Sequence, residues 1–357
     1  MNKTFIIAEA GVNHNGSLEC AFELIDEAVK AGADAIKFQT FKTEKLVTKT
    51  VKQAEYQKRN LGGSSSQYTM LKKLELSYDN FVQLKRYCEK TNIMFLSTPF
   101  DSESVDFLIQ DLGLKLIKIP SGEITNAPYL YKIAKQGVKV MVSTGMATIN
   151  EIHHALAFLA YGYANIANVT FEKVKGFYQT AEAKLLLQKN VQLLHCTTEY
   201  PTPFEDINLN AMDQMREVFQ LEVGLSDHSE GILVPIAAAA KESVTIEKHF
   251  TLNKTLPGPD HKASLEPSEL REMVYSIRLI ENALGQKEKV PTKIELKNKE
   301  VVRKSLVANV AIKKGEQFSI ENLTVKRPGT GISPYYYWDY LGRIAKEDYT
   351  EDEVLTK

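Results

Sequence analysis

The chain has 357 residues, 43% of them hydrophobic, with 44 basic residues set against 45 acidic ones and a formal net charge of −1. That length and apolar content support a large core plus a small companion domain, and the charge balance excludes a nucleic-acid surface or an anionic-membrane binder that works by bulk charge. Three cysteines, Cys20, Cys88 and Cys196, show no CxxC spacing, which excludes a disulfide framework and a thiolate zinc site.

The start, MNKTFIIAEAG, is too short in apolar residues for a signal peptide, and the longest apolar stretch, 231–240, ends at Lys241 and Glu242. A soluble cytoplasmic protein is the expectation. In chain order, eight β-rich runs follow: FIIAEA, DAIKFQ, IMFLST, LKLIKIP, VKVMVST, VQLLHCT, LEVGLS and SVTIEKHF. Helix-patterned stretches separate them, as in SLECAFELIDEAVKAGA, where Ser17 is a candidate N-cap and Gly32 a candidate C-cap. Eight nearly continuous apolar strands alternating with helices predict an α/β chain forming a parallel (β/α)₈ barrel over residues 1–284.

Two insertions depart from a minimal barrel. Residues 40–76, with GGSSS at 62–66, follow the second strand and are placed on the rim as a pocket-shaping loop; residues 161–190, before the sixth strand, are read as a solvent-exposed excursion with no chemistry. Residues 285–300 (QKEKVPTKIELKNKE and its flank) are charged and lack an apolar period, so they read as a linker. Short strands with Gly/Pro turns from 301 to 357 predict a small β-rich domain.

In a parallel barrel the strand C-terminal ends build the site. Those ends carry Lys37, Ser97 and Thr98, Lys118 and Ser121, Ser143 and Thr144, His195 and Thr197, Ser226 and His228, then Glu247 and His249. Two lysines among hydroxyls suit a phosphate, whose charge ammonium groups neutralise. A buried ion pair is the competing assignment for either lysine, and a Schiff-base nucleophile the competing chemistry. His228 and His249, at successive strand ends with no cysteine beside them, suit an open site for a divalent ion such as manganese, with magnesium or cobalt as alternatives. Glu123, in IPSGEIT, is a candidate acid, base or hydroxyl anchor against a loop contact. His14, in GVNHNG, also faces the rim or stabilises its turn; His153 and His154 read as ordinary helix residues.

The motifs AEAGVNHNG, IKFQTFK, FLSTPFD, KIPSGEITNAPYL, STGMATINEI, LLHCTTEYPTPFEDINLNAM, GLSDHS, IEKHFTLNKTLPGPDHKAS and VKRPGTGISP span nearly the whole chain. Together they resemble the sialic acid synthase family, which condenses phosphoenolpyruvate with an N-acetylated hexose. The resemblance implies a TIM barrel followed by an antifreeze-like (SAF) domain, in a domain-swapped homodimer. It implies phosphoenolpyruvate contacts at Lys37, Thr98, Lys118, Ser121, Ser143 and Ser226, and metal ligands at His228 and His249. Sugar contacts fall on Phe100, Glu123, Glu247 and Asp260, with Arg327 reaching in from the partner's small domain to the N-acetyl group. Asn15 and Thr198 depart from some members and take no role. The sugar is expected to be N-acetylmannosamine, with the 2,4-diacetamido sugar of legionaminic acid synthases as the alternative. Two further readings are a Schiff-base pyruvate lyase on the same barrel and a carbohydrate- or ice-binding small domain on an inert one.

Overall fold

A computed structural model describes residues 3–61 and 66–356; positions 62–65 of the GGSSS stretch lie outside the described residues. The chain divides after Gly285 into two compact units. In the first, the strands are β1 (Phe5–Gly11), β2 (Ala35–Thr40), β3 (Met94–Pro99), β4 (Leu116–Ile119), β5 (Lys139–Ser143), β6 (Val191–Cys196), β7 (Val223–Asp227) and β8 (Thr245–His249). All pair in parallel in the order β3-β2-β1-β8-β7-β6-β5-β4, and β3 lies beside β4, so the sheet comes round on itself as a TIM-like barrel.

Side chains alternate between the two faces of each strand, and this period of two assigns the barrel's contents. Ile6, Ile36, Ile117, Val140, Leu193, Leu225 and Ile246 point outward into the main core shared with the helices. Ile7, Ala35, Leu96, Met141 and Leu194 form a separate apolar cluster, which plugs the barrel's interior. Two residues further along the same strands stand Glu9, Lys37, Thr98, Ser143 and Cys196, and the equivalent step on β4, β7 and β8 brings Lys118, Ser226 and Glu247. The polar layer therefore rests directly on the apolar one. Gly224 on β7 leaves room for that plug, since a Cβ there would stand 2.6 Å from Leu194 Cδ2 and 2.5 Å from the Thr245 carbonyl oxygen.

The helix Leu18–Ala31 begins where the sequence places its cap: Ser17 Oγ accepts the Cys20 N–H, and Gly32 closes it at φ 79°, a left-handed value that suits glycine. The insertion after β2 forms helices Thr43–Leu46, Glu55–Leu61 and Gln67–Leu74 on the rim. The 161–190 insertion is largely solvent-exposed as expected, but it is helical and packed on the barrel unit through a few side chains. It finishes the helix Ile149–Tyr163 and then forms helices Phe171–Tyr178 and Ala181–Asn190, packed through Tyr161, Val174 and Phe177. Because it runs from a helix into β6, it belongs to the end of the barrel opposite the strand C-termini.

The stretch 285–300, expected to be linker, carries most of a helix, Lys293–Val302. Thr292 and Glu295 form a reciprocal capping box at its start, and its Ile294, Leu296, Val301 and Val302 are exposed. The second unit pairs β9 (Ser305–Ala308) antiparallel with β10 (Leu323–Lys326) and has its own core of Leu306, Ile312, Phe318, Leu323, Ile332 and Leu355. Among the described residues no helix is long and apolar enough to cross a membrane.

Two buried histidines make the fold acid-sensitive. His14 Nδ1 accepts the Gly16 N–H at 3.0 Å, and His261 bonds Thr251 Oγ1 at 2.7 Å and Asn15 Oδ1 at 3.1 Å. Burial, joined for His14 by neighbouring His261, pushes each ring down to about 4. The unfolded chain takes up these protons near pH 6.5, so stability is full above that value and is lost as pH falls toward 4, by on the order of 1–3 kcal/mol per ring. Urea midpoints should decline across that window, and His261→Gln should flatten the decline; an unchanged slope would remove these rings as its cause.

Candidate active site

The polar layer opens into a cavity of about 380 Å³ at the strand C-terminal ends, within the range of small-ligand sites. At its base, Lys37 Nζ lies 2.7 Å from Glu9 Oε2, 3.7 Å from Glu247 Oε2 and 2.9 Å from Thr98 Oγ1. Lys118 Nζ lies 3.0 Å from Glu247 Oε1, which also accepts Ser226 Oγ–H at 2.7 Å. All six side chains are buried. The register dictates the arrangement: Glu9 stands opposite Lys37 on β2, and Ser226 opposite Glu247 on β8.

Two ammonium groups and two carboxylates balance in charge, which is what allows four ionisable groups to share a buried place. Burial raises Glu9, and although Lys37 opposes this, its carboxyl is pushed up to about 7, with Glu247 adding to the rise. Burial would raise Glu247 too, but Lys118 and Lys37 outweigh it and hold that carboxyl well below the usual range. Lys37 goes up despite burial because Glu247 and Glu9 surround it. The ion-pair assignment left open in the sequence is therefore met for both lysines, yet it does not exhaust the site. Ser143 Oγ, Thr198 Oγ1 and His249 Nδ1 are buried at the cavity without a hydrogen-bond partner, a costly state that a polar ligand relieves.

The two imidazoles meet as the sequence predicts. His228 and His249 ring centroids are 5.4 Å apart, and Tyr200 lies 4.0 Å from the first ring and 5.6 Å from the second. His228 Nδ1–H donates to the Thr197 carbonyl at 2.7 Å, which orients the ring and leaves Nε2 as the nitrogen open to a ligand; burial lowers this ring, but Cys196, the Thr197 carbonyl and Asp227 together raise it above the ordinary imidazole value. Burial and then the neighbouring His228 press His249 well below the ordinary imidazole value, so it is neutral and able to ligate. Among the described residues no cluster of three or more His, Cys, Asp or Glu side chains could cage a metal, so the protein's share of any ion here is this pair. The donor set fits an open divalent site completed by water and substrate oxygens.

Asp260 Oδ2 stands 4.0 Å from His249 Nδ1, and burial pushes its carboxyl up to about 6. Ser121, Phe100 and Glu123 line the same cavity; Ser121 Oγ accepts the Gly145 N–H at 3.0 Å, and Glu123 Oε2 accepts Asn126 Nδ2–H at 2.5 Å. Arg327 lies in the second unit, exposed, immediately after β10. Other rim candidates do not converge. His195 Nε2 bonds the Ile207 carbonyl at 2.7 Å, Ser97 bonds Thr40, and Thr144 Oγ1 bonds the Leu194 carbonyl. His14 serves its turn. The insertion after β2 lines the cavity as expected, whereas Glu9, Cys196 and Tyr200 are site residues the sequence reading leaves unassigned, although a glutamate two positions after Ile7 in FIIAEA signals an inward carboxylate.

Residues 24–289 match the NeuB family and residues 303–357 the SAF domain. The chain belongs to the NeuB family. It is 50% identical over 355 residues to N,N'-diacetyllegionaminic acid synthase of Campylobacter jejuni, covering 99% of each chain. It is 48% identical over 330 residues to the synthase of the same name in Legionella pneumophila, covering 92% of this chain and 87% of that one. Human N-acetylneuraminate-9-phosphate synthase is 34% identical, with 98% and 91% covered. Among solved structures, the N-acetylneuraminic acid synthetase of Leptospira borgpetersenii superposes with a TM-score of 0.66 at 33% identity, covering 83% of this chain and 90% of that one. The NeuB-family match thus covers the barrel from within its first helix onward, and the SAF match the second unit from residue 303.

Proposed function

We propose that this NeuB-family chain condenses phosphoenolpyruvate with a 2,4-diacetamido hexose and water, giving N,N'-diacetyllegionaminate and phosphate. The observation that carries the reaction class is the buried Lys37–Glu247–Lys118 array beside the unpartnered hydroxyls of Ser143 and Thr198. For the sugar, the sequence-based preference for N-acetylmannosamine gives way to its alternative. Relatives named for the diacetylated product stand at 50% and 48% identity, against 34% for the human neuraminate-phosphate enzyme.

In this mechanism Glu9 and Glu247 keep the buried lysines charged, and those ammonium groups hold the anionic phosphoenolpyruvate with Thr98, Ser121, Ser143 and Ser226. The methylene carbon forms a bond to the sugar aldehyde carbon, water adds to the former enol carbon, and the C–O bond to phosphate breaks with release of phosphate. Phe100, Glu123 and Asp260 orient the sugar, with Glu123 placed to move a proton at a sugar hydroxyl. A divalent ion, manganese in this reading, held by His228 and His249 would supply Lewis acidity toward the aldehyde oxygen. A Schiff base at Lys37 is disfavoured, because its carboxylate neighbours hold the amine protonated.

The chain is proposed to act as a domain-swapped homodimer in the cytoplasm, with Arg327 of one subunit reaching the other's sugar. Arg327→Ala should then raise the sugar KM about tenfold or more and leave the phosphoenolpyruvate KM within twofold; equal rises in both would deny that role. The substrate is tested by supplying purified protein with phosphoenolpyruvate and either sugar and measuring phosphate release. Faster release with the diacetamido sugar is expected. Faster release with N-acetylmannosamine would overturn the choice of sugar, and release with neither would overturn the reaction.

A further inference from the structure

The cavity is chemically lopsided. Its base is the ionic array described above, whereas the side built by the insertion after β2 is apolar. Leu46 and Val47 come from the end of the first short rim helix, and Met70 and Leu71 from the helix Gln67–Leu74. Leu46, Met70 and Leu71 join one apolar cluster with Val12, Phe41 and Leu74, Val47 lines the cavity beside them, and Phe100, a sugar-side residue in the reading above, packs on that same cluster. The Phe41 and Phe100 rings meet edge to face with centroids 6.4 Å apart. Within this wall Gln67 carries an amide that reaches Gln57 Oε1 at 3.5 Å, a donor suited to a carbonyl oxygen.

An acetamido group has the matching chemistry: a methyl for an apolar surface and a carbonyl for an amide donor. A hydroxyl in its place could still take the Gln67 amide but would leave the apolar surface of Val47, Met70 and Leu71 uncovered. We propose that this wall receives the second acetamido group of the sugar, with Leu71 and Val47 in contact with its methyl and Gln67 donating to its carbonyl. The rim insertion is then the element that sets which sugar is used. This rests on the diacetamido reading of the substrate and adds the residues that enforce it. The Lys37 and Lys118 end lies on strands, apart from the insertion, so sugar selection and phosphoenolpyruvate binding are separable. Loss of one methyl-sized contact in an apolar pocket is worth roughly 10- to 200-fold, and that is the discrimination expected here.

The test uses Val47→Thr, which keeps shape, and Leu71→Gln, which removes apolar surface from a half-buried position. For each, kcat/KM is measured with the diacetamido sugar and with N-acetylmannosamine, alongside the phosphoenolpyruvate KM and the melting temperature. Expected is a fall of about tenfold or more in the ratio of the two sugars for Leu71→Gln and a smaller fall for Val47→Thr, with the phosphoenolpyruvate KM within twofold. A wild type that prefers the diacetamido sugar combined with variants whose ratio is unchanged overturns this assignment alone. A wild type that prefers N-acetylmannosamine overturns it together with the choice of substrate.

Discussion

Glu247→Gln should be among the most damaging single substitutions in the chain, lowering both stability and turnover. Its carboxylate lies 3.0 Å from Lys118 Nζ and 3.7 Å from Lys37 Nζ, and it accepts the Ser226 hydroxyl at 2.7 Å. An amide keeps the shape and removes the charge, leaving two buried ammonium groups to share Glu9. Removing one partner from a buried ion pair costs about 3–5 kcal/mol, because the remaining charge is uncompensated. For a barrel of this size that corresponds to a fall of roughly 5–15 °C in Tm. Lys37, which Glu247 helps to keep protonated, would lose that support, and with it positive charge that holds phosphoenolpyruvate, so kcat/KM should fall roughly a thousandfold. Calorimetry and phosphate release on the same preparation check both parts. A variant with wild-type Tm and activity would show that the array is neither structural nor functional.

Chelation should abolish turnover, and His249→Ala should lower it by about 10³-fold or more without recovery in excess metal. The ring pair provides no third protein ligand among the described residues, so losing one imidazole leaves a single nitrogen, too little to retain an ion at ordinary concentrations. His228→Ala should behave alike, because its Nδ1–H is committed to the Thr197 carbonyl and only Nε2 can serve. The measurement pairs elemental analysis of dialysed protein with phosphate release before and after manganese is restored. Full activity in exhaustively chelated protein would take the ion out of the reaction.

Much of this arrangement was legible because a parallel barrel converts strand position into location. Once IKFQ and IEKHF are read as strands, a period of two places Lys37, Glu247 and His249 inward at one end, and LKLIK does the same for Lys118. The same period should have excluded His195 and Thr144. Both stand one residue off the inward series Leu194 and Ser143, and both bond backbone carbonyls instead. Glu9 went unassigned because a carboxylate in an apolar strand reads as a solvated face until the register sets it against Lys37. The helix at 293–302 was hidden because its apolar residues have no core to face, leaving the Thr292–Glu295 cap as its one local signal. The apolar rim wall could not be read from spacing, since Met70, Leu71 and Phe100 come together only through tertiary packing.

The stacking of the ionic layer on the barrel's plug gives the two a shared fate. Ile7 and Glu9, Met141 and Ser143, Leu194 and Cys196 ride the same strands two positions apart, so any adjustment of the floor is transmitted to the groups above it. Random drift in this protein should consequently leave the anion end almost immobile and accumulate in the helices overhanging the mouth, making new sugar preferences far easier to evolve than a new three-carbon donor.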